Sequence, residues 1–165
     1  MKKVLPYLAF TAILLTFYGC PSDFDDSLGS ANEEKIEKKL LGNWATTNEN
    51  SEVMNFTVTQ KDDYNYKVEV TKRNDLLYGL ETNTFTGWIT KFEGQRFLIL
   101  QPKNQEVYYH YSINELEANK LVTCEVSVNE EQVKNLNTRE LLRKEVQTKI
   151  KDKDLVADAI TWTKE

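Results

Sequence analysis

Cysteine, histidine and clustered carboxylates are the side chains here that could do chemistry, and they are few. With one His and two Cys, a zinc site of imidazole and thiolate ligands lacks raw material. No serine and aspartate accompany His110 at a spacing typical of a catalytic triad. Asp62-Asp63 and the acidic pair in 152–154 lack the loop pattern of a calcium site. We therefore expect no catalytic residue, metal, cofactor or enzyme activity, with His110 on the surface and the acidic pairs in solvated turns.

The two cysteines have different surroundings. Cys124 alternates with three valines, which predicts a buried strand position rather than a nucleophile. Cys20 follows Lys2-Lys3 and an uncharged stretch of 15 residues, Val4–Tyr18. That stretch is shorter than the roughly 20 apolar residues of a membrane-spanning helix. Residues 1–19 are therefore predicted to be a signal peptide and not part of the fold.

The junction Phe17-Tyr18-Gly19-Cys20 resembles the lipobox of bacterial lipoproteins. The resemblance implies cleavage after Gly19 and acylation of the Cys20 thiol by diacylglycerol and chains such as palmitate. Several chains on one residue make a stable anchor, since each buried methylene contributes about 0.8 kcal/mol. Cys124 then has no disulfide partner, so the exported domain relies on its core. The alternative is an ordinary signal peptide that leaves a secreted protein with two thiols.

A polar, acidic run follows the cysteine, and we interpret 20–31 as the lipidated residue with a flexible tether. Part of it resembles the export signal of some Gram-negative surface lipoproteins: Ser22, Asp23, Phe24, Asp25 and Asp26. This implies a protein anchored in the outer membrane and displayed on the cell surface; the alternative is a solvated spacer at the periplasmic face. Asp26-Ser27-Leu28 also resembles a short O-glycosylation pattern, which implies a glycan on Ser27.

The mature chain has the size and charge of one acidic domain. Removing residues 1–19, with Lys2 and Lys3, leaves 146 residues and changes the net charge from −5 to −7. That length supports one domain, assigned to 32–165, and its aromatic content argues against disorder. The acidic surface disfavours nucleic acid as a partner.

Two amphipathic helices are predicted. Ser30-Ala31-Asn32-Glu33 has the spacing of a capping box, and the apolar stripe after it predicts a short helix over 31–41. Gly42 ends this helix. Leu142, Val146 and Ile150 lie four residues apart and predict a second helix, beginning near Asn137-Thr138, before the last strand.

Strands account for the rest of the domain. Alternating apolar positions separated by polar turns predict strands at 43–47, 53–60, 64–72, 82–92, 96–101, 107–113, 120–128 and 156–164. Residues 96–100 are apolar on both faces, so this strand is expected to be central or covered by a helix. Eight locally connected antiparallel strands favour an up-and-down barrel, since closure removes exposed edges.

The segment Leu40-Leu41-Gly42-Asn43-Trp44 resembles the Gly-x-Trp motif of lipocalins and lipocalin-like bacterial lipoproteins. The resemblance implies a barrel of eight or more strands, with Trp44 across its closed end and a basic residue, Lys164, over the indole. Such a contact contributes roughly 0.5–1 kcal/mol at an exposed site. The alternative is that Gly42 only ends a helix and Trp44 is an ordinary core aromatic.

Aromatic side chains define the candidate pocket: Phe56, Tyr66, Tyr109 and Tyr111. An eight-stranded barrel is just wide enough to be packed by side chains or to hold one small ligand. The bulk of these rings favours a mostly packed interior. Two functions remain: a lipid-anchored envelope protein that binds an apolar small molecule or envelope component, or a packed barrel serving as an accessory subunit of an outer-membrane assembly.

Overall fold

The computed structural model describes residues 23–47, 53–74, 79–127, 135–156 and 158–165. The predicted signal peptide, the predicted cleavage site at Gly19, Cys20 and Ser22 lie outside these residues. Eight antiparallel strands in chain order form a closed barrel, in which the last strand pairs with the first. The strands are β1 (Gly42–Thr47), β2 (Val53–Gln60), β3 (Asn65–Asn74), β4 (Gly79–Phe92), β5 (Gln95–Pro102), β6 (Tyr109–Leu116), β7 (Lys120–Glu125) and β8 (Ile160–Lys164).

The period-two pattern sets which side chains enter the barrel. On β2, Phe56 and Val58 point inward and lie opposite Val70 and Val68 of β3, because alternate residues of a strand share one face. The predicted fold class, a mainly β up-and-down barrel with one helix before the last strand, is confirmed. The eighth strand is shorter than predicted and begins at Ile160.

A second hydrophobic cluster lies outside the barrel. Phe97 and Ile99 of β5 point outward into it, whereas Leu98 points into the barrel interior. The α-helix, α1 (Arg139–Asp152), covers this outer face with Leu142 and Val146, which are both fully buried. The expectation that residues 96–100 are covered by a helix is therefore confirmed.

The prediction of a helix over 31–41 is wrong. Its described residues form turns and extended chain, with one short 3-10 turn at Lys38–Leu40. Tertiary partners take the backbone groups that a helix would use: Ile36 N donates to Asp63 O at 3.1 Å, and Glu37 N donates to the Tyr66 hydroxyl. An apolar stripe is a weak prior that such contacts override.

The prediction of a flexible tether is also wrong for the residues of this segment that the structure describes. Residues 24–37, here called the strap, pack along the outside of the barrel. Phe24 and Tyr108 exchange two backbone hydrogen bonds of 3.0 and 2.9 Å, and Phe24 and Leu28 are fully buried in the outer cluster. Farther along, Glu34 pairs with Lys91 at 2.7 Å. These contacts fix the segment to the domain.

The two ends of the barrel differ. At one end, here called the closed end, lie the 3-10 turn, the start of β1 and the end of β8. At the other, here called the mouth, lie the end of β5, the start of β6 and the residues 103–108 between them. Among the residues described, no helix is both long and apolar enough to cross a bilayer.

Candidate functional site: the mouth of the barrel

The closed end is plugged by Trp44. Its ring is fully buried, its Nε1 donates to Leu40 O at 2.8 Å, and it stacks on Phe56 with centroids 6.4 Å apart. Lys164 Nζ lies 5.0 Å from the Trp44 ring centroid and donates to Lys39 O at 3.0 Å. The cation expected over the indole is therefore present, and this end of the barrel is sealed.

Gly42 lies against this plug in a backbone conformation that favours glycine, so Gly42→Ala is expected to destabilise the protein. Its φ of +134° is rare for residues with a side chain, and an added Cβ would lie 2.5 Å from Lys164 Cε. We expect a loss of about 1–3 kcal/mol in the free energy of unfolding, measured by denaturant titration. Gly94→Ala is the matched control, since Gly94 also has a positive φ but open space around its Cβ. Equal losses in the two variants would show that Lys164 adjusts without cost.

The half of the interior next to the mouth is hollow. A cavity of about 290 Å³ lies there, at the lower limit of ligand pockets, which are typically about 300–1,000 Å³. Its walls are mostly apolar and come from six of the eight strands: Met54, Phe56, Val68, Val70, Leu98, Leu100, Tyr111, Thr123, Glu125, Ile160 and Trp162. Packing is therefore complete at the closed end and incomplete towards the mouth.

A wider recess of about 500 Å³ adjoins the cavity. The two share Val70, Leu100 and Tyr111 as lining residues. Polar and charged residues of the mouth, including Lys103 and Gln105, line the recess together with the Phe85 and Tyr109 rings, which meet edge to face at 6.2 Å. A molecule entering the cavity would thus pass polar groups first and apolar walls later.

Few polar groups reach the cavity wall. Trp162 Nε1 donates to Thr123 Oγ1 at 2.9 Å, so the edge of this ring is satisfied within the protein. Burial, with the nearby Glu125 carboxylate and Tyr109 side chain, raises the pKa of Tyr111, and its hydroxyl therefore stays neutral at physiological pH. The wall offers apolar surface, a phenol and the Glu125 carboxylate, a combination that suits binding of a largely apolar molecule.

The structure separates the four predicted pocket residues. Phe56 and Tyr111 line the cavity, and Tyr109 with Tyr111 lines the recess. Tyr66 is fully buried in the packed part of the interior, where burial raises its pKa to about 12. Sequence reasoning missed Trp162 as a wall residue, although its alternation with Ile160 on β8 placed the two on one face. A mostly packed interior, the favoured expectation, describes the closed half alone.

His110 is buried and not on the surface, which corrects the sequence prediction. It lies on the outer face of β6 beneath the strap, with none of its surface exposed. Its Nε2 accepts from Leu28 N at 3.1 Å, and the Phe24 ring meets it edge-on at 5.0 Å. Nδ1 has no hydrogen-bond partner among the residues that the structure describes. Burial lowers the pKa of His110 to about 3, so the ring is neutral.

Residues of the predicted export and glycosylation signals have structural contacts. Asp23 and Asp25 are exposed, Phe24 is buried, and the Asp26 carboxylate accepts from Arg139 N at 2.9 Å at the start of α1. Ser27 is 4% exposed and its Oγ donates to Gly29 O at 2.6 Å. A glycan could therefore reach Ser27 only while this part of the strap is open.

The second cysteine lies where the strand pattern predicts. Cys124 is a free, buried thiol at the end of β7, and burial raises its pKa, which disfavours the reactive thiolate. In the part of the chain that the structure describes, no three His, Cys, Asp or Glu side chains group closely enough to hold a metal ion.

Comparison with known proteins finds no relative. No family model matches the chain, and neither the curated proteins nor the solved structures give a significant match. The closed eight-stranded antiparallel barrel is consistent with a lipocalin-like fold.

Proposed function

We propose that this protein is a lipid-anchored protein of the cell envelope, related to the lipocalin-like lipoproteins, whose barrel binds an apolar small molecule without transforming it. The observation that carries the proposal is the cavity of about 290 Å³ at the mouth. It is enclosed by aromatic and aliphatic side chains, and it is open to the outside through a wider, more polar recess. Sites of this form favour ligands with an apolar body.

The anchor is proposed from the sequence. A short signal-like segment ending in Gly19-Cys20 supports acylation of Cys20, and several acyl chains hold a protein stably on a membrane. The acidic residues after Cys20 support a place in the outer membrane, on the cell surface. Asp23 and Asp25 are exposed, so a sorting receptor could contact them on the folded domain.

The accessory-subunit alternative has less support. It requires a packed barrel and an exposed surface for the partner, for which the aromatic residues around Tyr108 are the candidate. Tyr108 is instead hydrogen-bonded to Phe24 of the strap and packs edge-on against Trp88, with centroids 6.0 Å apart. These contacts leave its aromatic surface partly occupied by the protein itself.

Val70→Trp is expected to abolish binding of an apolar probe. Val70 borders both the cavity and the recess, so an indole there would fill the passage between them. We expect affinity for the dye N-phenyl-1-naphthylamine to fall at least about tenfold, a loss of about 1.4 kcal/mol. Fluorescence titration of the chain produced without its lipid measures this.

Thr71→Trp is the matched control, because the next residue of β3 points to the other face and its hydroxyl contacts Thr82 on the outside. This variant should bind the dye as the wild type does. Equal dye binding by Val70→Trp and the wild type would place the dye outside the barrel and remove the support for ligand binding in the cavity.

A further inference from the structure

The strap runs the whole height of the barrel, from the mouth to the closed end. Phe24 pairs with Tyr108 next to the start of β6 at the mouth. Leu28 lies over His110, and Glu34 pairs with Lys91 near the end of β4. Glu37 then pairs with Arg96 at 2.7 Å, beside the turn that follows β4. The described part of the strap therefore begins at the mouth.

Few residues separate Phe24, at the mouth, from the proposed anchor at Cys20. Cys20 precedes Phe24 by four residues, and an extended chain advances at most about 3.6 Å per residue, which gives a reach of about 14 Å. A strand of eight residues such as β5 spans about 26 Å along its axis and about 20 Å of barrel height after tilting. The reach is thus shorter than the barrel, and the closed end cannot be the end that faces the anchor.

Charge disfavours the remaining arrangement, in which the barrel lies on its strap side. Along that flank the exposed carboxylates Asp25 and Glu33 outnumber the exposed Lys35 of the strap, and carboxylates are repelled by phosphate-bearing lipid headgroups. The loop at the mouth, 103–108, carries the exposed Lys103 and the exposed Glu106, so its net charge is zero and the headgroups repel it less than the strap. An orientation in which the mouth faces the lipid agrees both with the short connection to Cys20 and with these charges.

We propose that the strap holds the mouth of the barrel against the surface of the membrane that carries the anchor, so that the cavity exchanges its apolar ligand with that membrane. The proposal rests on the acylation of Cys20 proposed above. The packing of the strap then has a functional consequence, because a flexible tether from Cys20 to Gly42 would let the barrel adopt any orientation. The partner is the headgroup layer, and the ligand is a molecule dissolved in that leaflet.

Fluorescence quenching in membranes tests this orientation. The full lipidated chain is labelled at Gln105→Cys in the mouth or at Ala118→Cys in the turn between β6 and β7 at the closed end; both positions are exposed. Cys124 is buried and does not compete for the label. In vesicles containing lipids spin-labelled at the headgroup, we expect the label at 105 to be quenched several-fold more than the label at 118. Equal quenching, or stronger quenching at 118, overturns the proposal.

A linker variant checks that the strap sets the orientation. About twenty Gly and Ser residues inserted between Ser22 and Asp23 would span about 25 Å on average, more than the barrel height. The difference in quenching between the two labels should then disappear. If it persists, something other than the short connection orients the barrel and the proposal is wrong.

A separate experiment tests whether Cys20 anchors the protein in the membrane. Cys20→Ser should move the protein from the membrane fraction to the soluble fraction, and retention of this variant in the membrane would refute the lipid anchor and, with it, the orientation. Ligand binding is scored independently by dye titration, so a barrel that stands mouth-down yet binds no dye would refute only the binding function.

Discussion

Phe24→Ala is expected to lower the free energy of unfolding by about 3–5 kcal/mol, the usual cost of removing a fully buried phenyl ring. Phe24 is completely buried, meets His110 edge-on at 5.0 Å and pairs with Tyr108 through its backbone. Its loss would leave a cavity between the strap and the outer face of the barrel. Denaturant unfolding followed by tryptophan fluorescence measures the change, because Trp88 Nε1 donates to Gly29 O of the strap at 3.2 Å.

The neighbouring exposed residue provides the control. Asp25→Ala makes a similar truncation in the same segment but touches no core, so it should change stability by no more than about 0.5 kcal/mol. If Phe24→Ala and Asp25→Ala unfold alike, the strap is not held by its apolar contacts. The segment would then be the tether that the sequence predicts, and the barrel would be free to reorient on its anchor.

The fold was largely predictable because it depends on local patterns. Alternation on β2 and β3 placed Phe56, Val58 and Val68 on one face, and the two-sided apolar run of β5 predicted the cover that α1 supplies. The cation over Trp44 was also expected, although by resemblance and not by pattern. The inferences about β2, β3 and β5 need only the spacing of residues along each strand.

The errors have a common origin in contacts that are distant in sequence. Phe24 and Leu28 are isolated apolar residues in an acidic run, so nothing local indicates that they are buried. His110 lies between Tyr109 and Tyr111 on the polar face of its strand, opposite the apolar residues, so the local pattern predicts a surface position. In the structure the same strap covers His110 and occupies the backbone groups of residues 31–37.

The cavity was also not predictable from the sequence, and the reason is a different one. Ring bulk suggested a filled interior, but the free volume of a barrel depends on where along its height each ring lies. Tyr66 is in the sealed half, whereas Phe56 and Tyr111 border the space towards the mouth. Alternation along each strand predicts which residues point inward, but the register between strands decides how high in the barrel each of them lies.

Acid is expected to loosen the strap through His110. The unfolded imidazole titrates near pH 6.5, whereas burial holds the pKa of the folded ring at about 3. Between these values the unfolded chain binds one more proton than the folded chain, so stability falls as pH falls. The contribution of the neutral ring is therefore fully present above about pH 6.5 and is lost progressively below it. Asp26, which faces the ring from the strap, opposes this effect weakly.

His110→Gln should remove this dependence, since its amide oxygen can still accept from Leu28 N but cannot take up a proton. Between pH 7 and pH 5 we expect the wild type to lose about 2 kcal/mol of unfolding free energy through this residue, and the variant to lose that much less. Both proteins carry the same carboxylates, so the contributions of these groups cancel when the two losses are compared. Denaturant titrations of both proteins at the two pH values provide the measurement. Identical losses would mean that His110 is not buried as a neutral ring beneath the strap.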